Sequence, residues 1–299
     1  MEERSKGNIF ITGITGFTGK HLEEYFDSQG FAVYGTTFSE SSSLKHYCCD
    51  ILDEERLFSI INDIKPDYVI HLAAISFVAA TDQKQIYNIN IFGTLNLLSA
   101  IDRSNYKPKK ILIASSAAVY GNIEGELGEE LCPQPVNHYG NSKLAMENMV
   151  KQYFGRLDII IARPFNYTGT GQESHFLIPK IVSHYKENKK EIELGNIDVY
   201  REFNDVQYVV KCYTMLLFSK IKSEIINVCS GNAININLIL SFMNQLADYT
   251  IKVKVNPKFV RKNEIEILKG NPKKLFAHIG DFSKEFTLQR TLTNMYNNE

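Results

Sequence analysis

Asn8-Ile9-Phe10-Ile11-Thr12-Gly13-Ile14-Thr15-Gly16-Phe17-Thr18-Gly19 runs from an apolar strand into three glycines spaced three residues apart. Glycine allows a tight turn and lets the backbone approach a pyrophosphate, whose charge is favoured by the N-terminus of a following helix. A glycine triplet by itself is a weak signal. This one follows a strand directly and opens a helix, which is the context the motif requires. The turn nominates Gly13, Thr15, Gly16, Phe17, Thr18 and Gly19 as contacts to a dinucleotide, NAD or NADP.

Outward from that turn, short apolar runs alternate with longer amphipathic stretches. Strands are predicted at Asn8 to Thr12, Phe31 to Thr37, Tyr68 to Leu72, Lys110 to Ser115 and Leu157 to Ala162. Helices are predicted at Gly19 to Gln29, Asp53 to Ile64, Asn88 to Arg103 and Asn141 to Phe154. Strands separated by helices of this length form βαβ units, so the fold class is α/β with a Rossmann-type, doubly wound parallel sheet. After Pro164 the rhythm changes. Short strands such as Glu191 to Leu194 and Ile225 to Cys229 mix with helices such as Val206 to Phe218 and Asn237 to Asp248. Residues 1–164 are read mainly as the dinucleotide-binding domain and 165–299 mainly as a smaller substrate-binding lobe, with some segments returning to the first domain. The ligand cleft is expected outside the carboxyl ends of the strands.

The bulk properties narrow the function classes. With 44% hydrophobic and 22% charged residues the chain is ordinary globular protein rather than disordered. A formal net charge of -1 gives no electrostatic case for nucleic acid or an anionic membrane as partner. The polar segment Met1 to Gly7, and the glycines that soon interrupt the apolar run after it, argue against a secretory signal and a membrane span. Five cysteines without a CxxC spacing fit reduced thiols, not a disulfide framework or a metal site. A cytoplasmic enzyme is the expectation.

At the end of the second strand, Gly35-Thr36-Thr37-Phe38-Ser39 offers neither the acid that favours NAD nor the base that favours NADP. The hydroxyls of Thr37 and Ser39 suit a phosphate and tilt the reading slightly toward NADP. Further along, Tyr139-Gly140-Asn141-Ser142-Lys143 puts a phenol and an ammonium four residues apart, on one face of a helix. Carbonyl reduction needs a proton donor on the oxygen as hydride arrives. An unperturbed tyrosine ionises near a pKa of about 10, and a neighbouring cation lowers that value. Ser116, closing the strand Ile111-Leu112-Ile113-Ala114-Ser115-Ser116, is placed to orient the same oxygen. In a chain with 16 tyrosines the Tyr-Lys pair alone means little. Its company, a dinucleotide turn and a serine-ended strand within a parallel-sheet rhythm, gives it weight.

These residues together resemble the extended short-chain dehydrogenase/reductases, the nucleotide-sugar epimerase/dehydratase group. The resemblance rests on Thr12 to Gly19, His71-Leu72-Ala73-Ala74, Asn90-Ile91-Phe92-Gly93-Thr94, Ser115 to Gly121 and Tyr139 to Lys143, in order along nearly the whole chain. It implies Asp50 and Ile51 at the adenine, and Leu72, Ala73 and Ala74 along the cofactor. It further implies Ser116, Tyr139 and Lys143 as the catalytic set, Tyr139 and Lys143 also touching cofactor, Ser76 on the substrate side, and a homodimer through a helix bundle.

Within the group, Arg163 to Gln172, Gly195-Asn196-Ile197, Arg201-Glu202-Phe203 and Asn227 to Gly231 resemble the GDP-4-keto-6-deoxy-mannose reductases. A nucleotide diphosphate needs cations, for which Arg201 and Arg261 are the candidates, with Asn166 for a pyrophosphate oxygen or sugar hydroxyl. The 4,6-dehydratases of the group carry an Asp-Glu pair directly after the hydroxyl residue, where this chain has Ala117 and Ala118. Fucose-synthase-type epimerase-reductases carry a cysteine two residues after the serine, again Ala118 here. His175 resembles the region of their second acid; helix-start packing or solvent exposure is its plainer reading. Asn204 to Tyr208 and Asn137-His138 depart from the reductase pattern and leave base and sugar open. The expectation is NAD(P)H-dependent reduction of the C4 ketone of a nucleotide-linked 4-keto-6-deoxyhexose, a GDP-sugar first, in deoxysugar biosynthesis for surface polysaccharide. A nucleotide-sugar 4-epimerase retaining its NAD is the nearest alternative, and a non-catalytic dinucleotide-binding regulator the more distant one.

Overall fold

A computed structural model of the chain describes residues 6–76, 82–259 and 265–298. Its main sheet has seven strands in the spatial order Glu224–Val228, Ile159–Pro164, Lys110–Ala114, Tyr68–His71, Asn8–Thr12, Ala32–Thr37, His46–Cys48. Asn8–Thr12 pairs in parallel with both Ala32–Thr37 and Tyr68–His71. Lys110–Ala114 pairs in parallel with Tyr68–His71 and Ile159–Pro164. This is the Rossmann-type parallel sheet that the alternation predicted. Ile9, Phe10, Ile11, Val69 and Ile70 are fully buried, as the continuous apolar runs of strands covered on both faces require. The chain moves outward from the first strand and then returns to its other side at Tyr68. That reversal opens a crevice at the carboxyl ends of these two neighbours.

The helices follow from capping and periodicity. In Glu54–Ile64, Leu57, Ile60, Ile61 and Ile64 form the buried stripe, the Asp53 side chain accepts from Arg56 N, and Lys65 ends the helix at φ 49°. The helix predicted from Asn141 begins earlier, at His138, and its regular part ends at Val150. Asn137 caps it, its Oδ1 accepting from Gly140 N at 2.8 Å. Gly140 sits inside this helix because a Cβ there would collide with the Ala118 carbonyl. The single helix predicted over Asn88 to Arg103 is two pieces, a π-helical segment Asn88–Gly93 and an α-helix Thr94–Arg103, and an unpredicted α-helical turn Gln83–Tyr87 precedes them. Such π segments are rare and gather at functional positions.

The helix His138–Val150 is fastened to the sheet by a buried charge cluster. Glu147, fully buried, receives Arg163 Nε at 2.9 Å and Nη2 at 2.6 Å, and Ser115 Oγ at 2.5 Å. The remaining Arg163 nitrogen, Nη1, donates to Tyr120 Oη at 2.9 Å. One helix is thus tied to the ends of two strands.

The chain divides into two compact units. The unit of the seven-stranded sheet takes the chain to Gly121, then Pro133–Arg163 and Val210–Ile226; the other takes Asn122–Cys132, Pro164–Val209 and Asn227–Glu299. In the second unit Ala233–Asn235, Tyr200–Glu202, Ile267–Gly270 and Gly125–Leu127 form a small sheet. Its core gathers Ile181, Tyr185, Ile239, Met243 and Leu292 from three helices. None of the four short strands of this sheet was predicted, whereas Glu191–Leu194, elsewhere in the unit, was.

Removing Arg163 while keeping Glu147 leaves a carboxylate unpaired in the core. Arg163→Met is expected to cost about 3–5 kcal/mol of unfolding free energy, read by urea denaturation.

Candidate active site

Gly13 sits at φ 71°, in the left-handed region that favours glycine. A Cβ there would lie 3.0 Å from Ala73 N and 3.1 Å from Ala73 Cα, so the turn and the Leu72-Ala73 backbone are pressed together. At Gly19 a Cβ would collide with the carbonyl oxygens of Gly13 and Ile14. The helix Phe17–Ser28 opens at Gly16, which has no side chain to cap its first N–H groups. A tight glycine turn, closely opposed backbone and a helix N-terminus without a side-chain cap fit a dinucleotide pyrophosphate. Thr15 and Gly16 are exposed, Phe17 is half-buried and Thr18 is buried.

The other proposed cofactor positions spread along the same sheet edge. Thr37 is buried and its hydroxyl donates to the Ser39 carbonyl, so it shapes the loop; Ser39 is exposed. Asp50 is exposed, its Oδ1 accepting from Leu52 N at 2.9 Å, and Ile51 is packed beneath Gly93. Leu72, Ala73 and Ala74 are half-buried, with the N–H groups of Leu72 and Ala73 each 3.2 Å from Thr12 Oγ1.

Lys143 is buried, and its Nζ donates to the Ala114 carbonyl at 2.7 Å. Burial pushes its pKa down to about 8, a fall that the nearby Glu147 carboxylate opposes. Tyr139 lies one turn earlier on the same helix, half-buried, with its carbonyl accepting from Ser142 Oγ at 2.8 Å. Ser116 is half-buried and its Oγ accepts from Ala118 N at 3.1 Å, capping the short 3-10 turn Ala117–Tyr120. The helix therefore grips the segment bearing Ser116 on both sides: Lys143 holds Ala114, and Gly140 packs on Ala118. Serine, tyrosine and lysine are carried by two elements locked together, which suits a site that must hold a carbonyl oxygen in place.

Of the proposed substrate residues, Ser76 is exposed in the first unit and Asn166 is exposed in the second. Arg201, half-buried in the second unit, donates to the carbonyls of Tyr200 (2.8 Å), Glu266 (3.2 Å) and Ile265 (2.7 Å). Arg261 lies outside the described residues. His175 precedes the helix Leu177–Lys186 with its Nδ1 3.0 Å from Glu173 Oε2 and its ring against Phe176, in the second unit. Sequence reading missed Glu147, whose place four residues after Lys143 on the same helical face was the available signal. It also gave Arg163 and Asn90 no task of their own.

A Rossmann-type sheet whose glycine turn fits a dinucleotide, joined to a Ser, Tyr and Lys set, defines an NAD(P)-dependent oxidoreductase of the extended short-chain dehydrogenase/reductase kind. The sequence model of the GDP-mannose 4,6 dehydratase family matches residues 10–295, and the chain belongs to that family. It is 35% identical over 292 residues to the GDP-6-deoxy-D-talose 4-dehydrogenase of Aggregatibacter actinomycetemcomitans, covering 97% of each chain. It is 32% identical over 297 residues to the GDP-6-deoxy-D-mannose reductase of Pseudomonas aeruginosa, covering 95% of this chain and 94% of the relative. The solved structure of RMD from Pseudomonas aeruginosa complexed with NADPH superposes with a TM-score of 0.85 at 30% identity, covering 98% of both chains. Among the described residues no helix is long and apolar enough to cross a membrane.

A lysine that is unfavourably charged when buried affects stability with a definite sign. Below about pH 8 the folded chain holds this ammonium dry; between about pH 8 and its ordinary value near 10.5 the folded state has shed the proton and the unfolded state has not. Lys143→Met is expected to be more stable than the parent at pH 7, with that advantage shrinking toward pH 10, by denaturant titration at each pH.

Proposed function

We propose that the protein reduces the C4 ketone of a GDP-linked 4-keto-6-deoxyhexose with NAD(P)H. The observation that carries the reading is Lys143 donating to Ala114 from the helix that bears Tyr139, two residues before Ser116. Two relatives above 30% identity carry names that describe oxidation or reduction of GDP-6-deoxy sugars, which supports the substrate class. Against dehydration stand Ala117 and Ala118, which have no group to remove or return a proton.

In this reading the bound nicotinamide supplies the hydride. Tyr139 gives its phenolic proton to the oxygen as charge develops on it, and Ser116 Oγ donates a hydrogen bond to the same oxygen. Lys143, its charge held by Ala114 O, favours the phenolate that Tyr139 becomes, and solvent returns the proton before the next turnover. Ser76, Asn166, Arg201 and Arg261 are the proposed contacts to the nucleotide sugar. The localisation proposed is cytoplasmic. A homodimer is proposed through the helices bearing Phe92 and Met149, two apolar side chains left exposed on Asn88–Gly93 and His138–Val150.

Purified protein given GDP-4-keto-6-deoxy-mannose should oxidise NADPH or NADH in stoichiometric amount, with NMR of the sugar ring separating 6-deoxymannose from its C4 epimer 6-deoxytalose. Sugar conversion without net consumption of reduced nucleotide contradicts the reading and indicates epimerisation. Tyr139→Phe should bind NADPH within about twofold of the parent and lose about 10²–10⁴-fold in turnover. Replacing Phe92 and Met149 together by glutamate should shift the sedimentation coefficient from dimer to monomer.

A further inference from the structure

His71 ends the strand Tyr68–His71 and is 2% exposed. Both of its ring nitrogens are engaged: Nδ1 lies 2.7 Å from Thr12 Oγ1 and Nε2 lies 2.8 Å from Thr94 Oγ1. The directions of these bonds follow from counting hydrogens and lone pairs. Thr12 Oγ1 accepts the Ala73 N–H and shares the Leu72 N–H with its own carbonyl, which leaves the hydroxyl hydrogen for Nδ1. Thr94 Oγ1 donates its hydrogen to the Asn90 carbonyl at 2.8 Å, so it accepts from Nε2. The two ends agree on one species, a neutral imidazole protonated on Nε2. A second proton on Nδ1 would point at the Thr12 hydroxyl hydrogen. Burial first, and the Lys143 charge second, push the ring pKa down to about 3.

The chain of bonds continues beyond the threonines. Thr12 precedes Gly13 in the dinucleotide turn and holds the Leu72-Ala73 backbone against it. On the other side, Asn90 accepts Ile75 N on its Oδ1 at 2.8 Å and donates from Nδ2 to Ile75 O at 3.2 Å and to Ser142 Oγ at 2.9 Å. Ser142 in turn donates to the Tyr139 carbonyl. A continuous path of buried polar groups, Thr12, His71, Thr94, Asn90 and Ser142, joins the turn to the Tyr139 helix.

We propose that His71, fixed as the neutral Nε2–H ring, is a positioning residue that keeps the dinucleotide turn and the Tyr139 helix in one register. The proposal rests on the reading of this unit as an NAD(P)-binding oxidoreductase and is indifferent to which sugar is reduced. A glutamine amide carries an acceptor and a donor on either side of one carbon, as the imidazole does, and can serve Thr12 and Thr94 together. Phenylalanine fills the space and orphans both hydroxyls.

Nitrogen NMR of the histidine-labelled full chain, with the His71→Gln spectrum assigning the signal, should show a neutral Nε2–H ring throughout about pH 5 to 9. NADPH affinity, read from nucleotide fluorescence, should stay within about threefold in His71→Gln and fall about tenfold or more in His71→Phe. Should the phenylalanine variant not fold, Thr94→Val against Thr94→Ser carries the same comparison: only valine should leave the Nε2–H without its acceptor and weaken NADPH. An Nδ1–H ring, titration near neutrality, or equal affinity losses in the conservative and disruptive variants would overturn the proposal. None of these measurements uses a sugar, so a failed ketoreductase assay leaves them readable.

Discussion

A lysine ammonium held inside a protein must find an acceptor or lose its proton, and Lys143 finds the Ala114 carbonyl at 2.7 Å. That bond joins the end of a central strand to the helix carrying Tyr139. The turn between Ser116 and Tyr120 then packs under Gly140, where nothing larger fits. One helical turn deeper, Glu147 and Arg163 take up the same task with two charge-assisted bonds. The proposed chemistry asks for a charged lysine beside a phenol, and the fold ties the lysine's host helix to the sheet through Ala114 and Arg163.

The dinucleotide side of the unit obeys a steric constraint. Gly13 and Gly19 are required because backbone atoms, not side chains, occupy the space a Cβ would take. The first strand and the strand ending at His71 can approach closely enough for Thr12 to bridge them. In the proposed binding mode a pyrophosphate meets the N-terminus of the helix Phe17–Ser28, which opens at Gly16 without a side-chain cap. The two halves of the unit, turn and catalytic helix, are built by different forces and joined by uncharged hydrogen bonds through His71 and Asn90.

Much of this was legible in the chain. The glycine turn, the alternation to Pro164 and the Ser, Tyr and Lys positions are local patterns, and local patterns survive without knowledge of packing. The π-helical segment Asn88–Gly93 was not legible, because its cause is long-range: Asn90 turns inward to Ile75 and Ser142, 15 and 52 residues away. The helix starts at His138, three residues before the predicted Asn141, behind an Asn137 cap, and Gly140 within it is required by the Ala118 carbonyl. Thr37, nominated for a phosphate, instead uses its hydroxyl within its own loop. Arg201 donates from its guanidinium to three backbone carbonyls, which no motif reveals.

The account stands on Tyr139 and Ser116 converging on one carbonyl oxygen. A crystal structure of the protein with NADP and a GDP-6-deoxyhexose tests that convergence directly. Both hydroxyl oxygens should lie within about 3.2 Å of the sugar O4, with Lys143 still on Ala114. A sugar bound with O4 turned away from Tyr139, while the nicotinamide faces another carbon, would contradict it.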